Sequence, residues 1–132
     1  MTYGLDTSVA ARIVTGMPQN LAEAVQQRLC ELLEDGNDFI ISDLVIAELY
    51  FALQRHYSKT KDEAIRAICA LADEPGFAIS SESRAALNTP NAWKANPGVV
   101  DRMIANEYAS RGCVTLSCEK SFRRLDLTEV IK

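Results

Sequence analysis

Histidine is nearly missing from this sequence, and paired cysteines are missing altogether. One histidine, His56, and four scattered cysteines, Cys30, Cys69, Cys113 and Cys118, are the whole supply of soft metal ligands in 132 residues. A structural zinc site draws on tight Cys/His pairs, and the absence of any C-x-x-C argues against one. Unpaired thiols suit the reduced state of a cytosolic protein, and Cys30 and Cys69, on apolar helical faces, are expected in the core. No basic leader or apolar run of about 20 residues is present, so neither secretion nor a membrane span is expected, and a cytoplasmic location is. An excess of positive charge is lacking too: 14 Lys and Arg stand against 18 Asp and Glu, a net charge of −4. This excludes a general electrostatic grip on nucleic acid or anionic membrane. A phosphate-containing substrate remains open if metal ions offset the local acid.

What is present reads as one ordinary domain, residues 1–132. The composition, 48% hydrophobic and 24% charged, is that of a globular chain with enough residues for a real core. Turn signals at Gly16-Met17-Pro18, Asp35 to Asp38, Asp73 to Gly76, Thr89-Pro90-Asn91 and Asn96-Pro97-Gly98 are all too short for interdomain linkers. Between them TYGL, FIIS, FAI and CVTL read as buried strands, with LDL near the end as a weak one. Leu21 to Glu34 and Val99 to Arg111 carry apolar residues at helical spacing, and Thr60-Lys61-Asp62-Glu63 is a capping box opening a further helix. Strands alternating with pairs of helices imply an α/β fold with a mainly parallel sheet of four or five strands.

The segment SDLVIAELYFAL poses the functional question. On a helix, Glu48 has Leu44, Val45, Phe51 and Ala52 as face neighbours, all apolar. A carboxylate buried there is expected to be paired, protonated or bound to a metal. Other acids lead to the same edge of the sheet, where parallel α/β folds bind ligands. Asp6 directly follows the first strand, and Glu119 follows the strand Cys113 to Leu116. Asp101 opens the helix preceding that strand, and Glu48 lies about 8 Å into its own helix, tilted back towards the edge. Four carboxylates at one place need cations or raised pKa values. Oxygen ligands without histidine or thiolate favour Mg²⁺ or Mn²⁺, ions that activate water and offset charge in phosphoryl chemistry. Taken singly, Asp6 also reads as a helix N-cap, Asp101 as a first-turn acid, Glu119 as a loop charge and Glu48 as half of an arginine salt bridge.

LDTSV after the first strand, ISDLVIAELYFAL with its single Glu, the Asp opening DRMIANEYA, and a strand followed by LSCEKSF together resemble the PIN-domain ribonucleases. The order and size are most similar to the VapC-type toxins of bacterial toxin–antitoxin pairs, and the resemblance runs from Asp6 to the closing LDLTEVIK. It implies a three-layer α/β/α fold and a Mg²⁺- or Mn²⁺-dependent endonuclease acting on single-stranded RNA or tRNA, leaving a 5′-phosphate and a 3′-hydroxyl. It also implies a cognate antitoxin and a homodimer as partners, either of which would cover part of the apolar 44–53 helix. Carried over, Asp6, Glu48 and Asp101 match three metal-binding acids, and Glu119 takes the place of the fourth. Ser117 matches the hydroxyl that orients the metal's water, with Thr7 or Ser8 helping. Two positions depart from the pattern: Glu119 is one methylene longer than the usual Asp, and Ser121 stands where a further Asp is frequent.

Cations for phosphate positioning are sought in Arg102, Lys120, Arg123 and Arg124, which read more simply as a solvated surface face, and Trp93 beside Lys94 reads as a partly buried anchor or, alternatively, a base-stacking ring. His56 reads as a helix-end cation. The main alternative is a non-catalytic PIN-like module that binds RNA or a partner without consuming it. A phosphatase of the aspartyl-phosphate type would want a second Asp where Asp6-Thr7-Ser8 has Ser8.

Overall fold

The computed structural model describes residues 1–131, which fall into two compact units, Met1–Ser80 and Ser81–Lys132. Six α-helices and five short strands alternate along them, and every strand pairing is parallel.

The first unit runs β1 (Thr2–Leu5), α1 (Thr7–Thr15), α2 (Gln19–Glu34), β2 (Asp38–Ile41), α3 (Asp43–His56), α4 (Lys61–Ala72) and β3 (Phe77–Ala78). β1 pairs with β2 from Thr2↔Asp38 to Leu5↔Ile41, and β2 pairs in turn with β3. Parallel neighbours need long crossovers, and the helix pairs α1–α2 and α3–α4 supply them. Three of the unit's helix starts have a side-chain cap. Asp6 caps α1, Ser42 caps α3, and the Thr60–Glu63 capping box opens α4 as its sequence predicts. Phe39 in β2 is buried between Tyr3 and Phe77, at ring-centroid distances of 6.3 and 5.0 Å, and Ile46, Leu49, Leu53 and Ile68 complete this core.

The second unit contains α5 (Ser81–Leu87), a 3₁₀ turn at Ala92–Lys94, α6 (Val99–Ser110), β4 (Thr115–Ser117), a 3₁₀ turn at Lys120–Arg124 and β5 (Thr128–Val130). α5 packs on α6, burying Ala86 and Leu87 on one helix and Val99, Met103 and Ala105 on the other. The Asn106 amide ties the pair by donating to the Glu82 carbonyl at 3.1 Å. β4 pairs with β5 from Thr115↔Thr128 to Ser117↔Val130.

The architecture is the expected α/β type, with five strands distributed as a three-stranded and a two-stranded parallel sheet. Two strand positions shift. Cys113 is not the start of β4, because its N–H donates to the Tyr108 carbonyl and closes the end of α6. LDL is not the last strand either: the Leu125 N–H is spent in the preceding 3₁₀ turn and Leu127 has φ 52°, so pairing begins at Thr128. Cys30 is exposed and Cys69 half-buried, where a core position was expected. For Cys30 the cause lies in α2, which buries only Leu32 fully and lines an open cleft with Ala22, Leu29, Cys30 and Leu33.

Candidate metal and nucleic-acid site

Each unit contains two of the candidate acids. In the first, Asp6 stands between β1 and α1 and does what an N-cap does. Its Oδ1 accepts the Val9 N–H at 3.1 Å and the Ser8 hydroxyl at 2.6 Å. The Ser8 hydroxyl, with the Val9 amide behind it, holds the Asp6 carboxyl below the usual carboxylate range. The next residue, Thr7, donates its hydroxyl to Glu48 Oε1 at 3.3 Å. One side chain thus joins the N-cap of α1 to the middle of α3, and Thr7 and Ser8 both support acids.

Glu48 itself is exposed, against the expectation of a buried carboxylate. α3 buries Ile46, Leu49, Tyr50 and Leu53 on its inner side. The stripe that carries Glu48 faces out, with Leu44 71% and Phe51 40% exposed. Apolar neighbours in sequence therefore do not desolvate it. Thr7, not an arginine, is its polar partner.

In the second unit, Asp101 lies in the first turn of α6, half-buried, and Glu119 follows β4 exposed to solvent. Burial, followed by the negative charge of Glu119, pushes the Asp101 carboxyl above its ordinary value. Ser117 orients this segment, since its Oγ accepts the Glu119 N–H at 3.0 Å. Of the expected phosphate-binding cations, Lys120 and Arg123 are exposed on the 3₁₀ turn after Glu119. Arg102 and Arg124 are engaged locally. Arg102 Nε donates to the Pro97 carbonyl at 2.8 Å, and Arg124 donates to the Asn96 carbonyl at 2.7 Å. Both therefore brace the turn that leads into α6. The signal for this role was the Asn96-Pro97-Gly98 turn, whose carbonyls have to find donors outside a regular ladder.

All four acids offer oxygen donors only, and at least one oxygen of Asp6 remains open beyond its capping bonds. That donor chemistry fits a hard divalent cation. Among the described residues no group of three or more His, Cys, Asp or Glu side chains is close enough to hold a metal ion.

The PIN domain family model matches residues 3–127, nearly the whole chain and both units. The chain belongs to the PIN domain family. PIN domains are generally nucleases, and the acids at positions 6, 48, 101 and 119 all lie within the matched span. Among solved structures, this PIN domain is similar to the crystal structure of VapBC2 from Rickettsia felis bound to a DNA fragment from their promoter. Sequence identity there is 20%, the TM-score is 0.44, and the match covers 98% of each chain. No curated protein matches the sequence. No helix among the described residues is long and apolar enough to cross a membrane.

Proposed function

We propose that this PIN domain is a Mg²⁺- or Mn²⁺-dependent endoribonuclease that cleaves single-stranded RNA and serves as the toxin of a toxin–antitoxin pair. The observation that carries the reading is the PIN match over residues 3–127, within which the oxygen-donor acids at positions 6, 48, 101 and 119 all fall. The half-buried Asp101 carboxyl, raised by burial and by the charge of Glu119, supports it. Asp6, Glu48, Asp101 and Glu119 would hold the divalent ion. When bound, the ion supplies Lewis-acid stabilisation of the phosphodiester and a lowered pKa for the attacking water. The chain's own groups do the rest. Ser8 and the Val9 amide keep Asp6 ionised, and the Thr7 hydroxyl holds the Glu48 carboxylate. Ser117 fixes the backbone that presents Glu119. Lys120 and Arg123 offer free cations for RNA phosphates, which is how an acidic protein keeps its contacts with RNA local.

Two surfaces support the proposed partners. A cleft of about 460 Å³ in the first unit is lined by Ile13, Val14, Leu29, Leu33 and Ala67, with Arg12 and Glu74 at its rim, and suits an amphipathic antitoxin segment. The outward stripe of Leu44 and Phe51 on α3 suits a second copy of the chain.

The non-catalytic reading retains one observation in its favour: Glu119 and Ser121 depart from the acidic pattern that the resemblance implies. A cleavage assay decides between the two. Labelled single-stranded RNA is incubated with Mg²⁺ or Mn²⁺ and with wild type, Glu48→Gln or Asp6→Asn. The nuclease reading expects metal-dependent cleavage by wild type and a loss of at least a hundredfold in each folded variant. RNA bound but left whole by wild type selects the non-catalytic module. Cleavage that survives both substitutions removes the four acids from the mechanism.

A further inference from the structure

The chain has a single tryptophan, Trp93, and it is not a core anchor. Its side chain is 48% exposed, while the neighbouring Ala92 and Pro97 are buried. The 3₁₀ turn that carries it is closed by two backbone bonds, Lys94 N–H to the Asn91 carbonyl at 3.0 Å and Ala95 N–H to the Ala92 carbonyl at 3.2 Å. The chain just after it is clamped by the Arg124 and Arg102 bonds to the Asn96 and Pro97 carbonyls. A large apolar ring is therefore held towards solvent on a braced segment that continues directly into α6 and Asp101. The Lys94 ammonium sits over the ring in a cation–π contact, 5.5 Å from its centroid. An aromatic face with an adjacent ammonium matches a nucleotide in both its parts, since the base stacks on the ring and the phosphate meets the cation.

We infer that Trp93, with Lys94 beside it, is a stacking platform for an unpaired base of the RNA, a substrate-positioning role that rests on the proposed ribonuclease reading. Stacking on a π-face tolerates any base, so the platform selects for single-stranded RNA over duplex and leaves sequence choice to other contacts. Arg102 and Arg124 act through it as positioning residues.

Because Trp93 is the only tryptophan, intrinsic fluorescence reports on this position alone. Full-length Glu48→Gln protein, chosen to leave RNA intact, is titrated in Mg²⁺ with a single-stranded RNA of about ten nucleotides, within the usual span of such sites. Inorganic polyphosphate is the control. RNA is expected to quench the emission and polyphosphate to leave it unchanged. Trp93→Ala is expected to weaken RNA binding about tenfold by anisotropy, and Trp93→Phe to keep most of the affinity. RNA that binds without changing the emission, equal quenching by polyphosphate, unchanged affinity in Trp93→Ala, or no binding of RNA at all each overturns the platform. The two ideas fail separately. Metal-dependent cleavage by wild type with an unmoved KM in Trp93→Ala sinks the platform and keeps the nuclease. Quenching and a weakened Trp93→Ala without any cleavage by wild type sinks the nuclease and keeps the platform.

Discussion

Asp6 carries two duties on one side chain, and the two can be separated by substitution. As a cap it needs an acceptor oxygen for the Val9 N–H and the Ser8 hydroxyl; as a metal ligand it needs negative charge. Asparagine caps helices as well as aspartate does, whereas alanine leaves the amide unsatisfied at a cost of about 1 kcal/mol. Asp6→Asn is therefore expected to melt only slightly below wild type near neutral pH, and Asp6→Ala to melt lower still. Neither should cleave RNA. Calorimetry on the two variants checks the first pair of expectations, and an Asp6→Asn protein as unstable as Asp6→Ala would refute the capping account. The pH dependence has a definite sign. The folded carboxyl titrates below its unfolded value, so its contribution is present above the unfolded pKa and is lost as pH falls through the folded one. At this scale the sequence was informative about chemistry and misleading about environment. The position of Asp6 after a strand and before Thr7-Ser8 announced a cap. The apolar neighbours of Glu48 suggested burial, yet they lie on the outward side of α3. A stripe of apolar residues reports only that a face can be covered; what covers it, or fails to, depends on elements distant in sequence.

The elements themselves were legible where local chemistry dictates them. The Thr60–Glu63 box, the period of α6 and the strand after Met1 need no tertiary information. Those that were misplaced, the start of β4 and the position of β5, were decided by how α6 and the Lys120–Arg124 turn use up backbone donors. Nothing in the residue types of CVTL or LDL reveals this. Connections between elements can be just as strict. Gly76, in the turn between α4 and β3, has φ 90° and gives its carbonyl to the Phe39 N–H at 2.7 Å, setting the register of the β2–β3 pair. A Cβ there would meet Leu33 Cδ2 at 2.5 Å. Leu33 borders the open cleft and has room to move, so backbone strain decides the cost. Gly76→Ala is expected to destabilise the protein by roughly 1–2 kcal/mol, the penalty of left-handed backbone for a residue with a Cβ. A urea midpoint unchanged from wild type would show that the turn can take another path.

On the scale of the whole molecule, the chain carries a net charge of −4, and the charge of Glu119 opposes ionisation of the half-buried Asp101. The sign at Asp101 is opposite to that at Asp6. A folded pKa raised above the unfolded one means the native state holds the proton more tightly. Stability therefore falls as pH rises from the unfolded value through the folded one, and the deficit persists at neutral pH. Two routes remove it. Asp101→Asn deletes the charge and is expected to raise the melting temperature of the metal-free protein slightly. In the proposed site, Mg²⁺ or Mn²⁺ is expected to offset the charge by binding the folded state, adding about 2.7 kcal/mol at a hundredfold excess over Kd, or several degrees of Tm. The routes are exclusive if the acids hold the ion, so Asp101→Asn should start higher and gain nothing from metal, while EDTA lowers wild type alone. Glu48→Gln should lose the increment too, because the proposed ligand set includes Glu48. A thermal melt of the three proteins with Mn²⁺ and with EDTA is sufficient. An increment that survives in Glu48→Gln but not in Asp101→Asn would remove Glu48 from the ligand set, leaving its bond to Thr7 as its role.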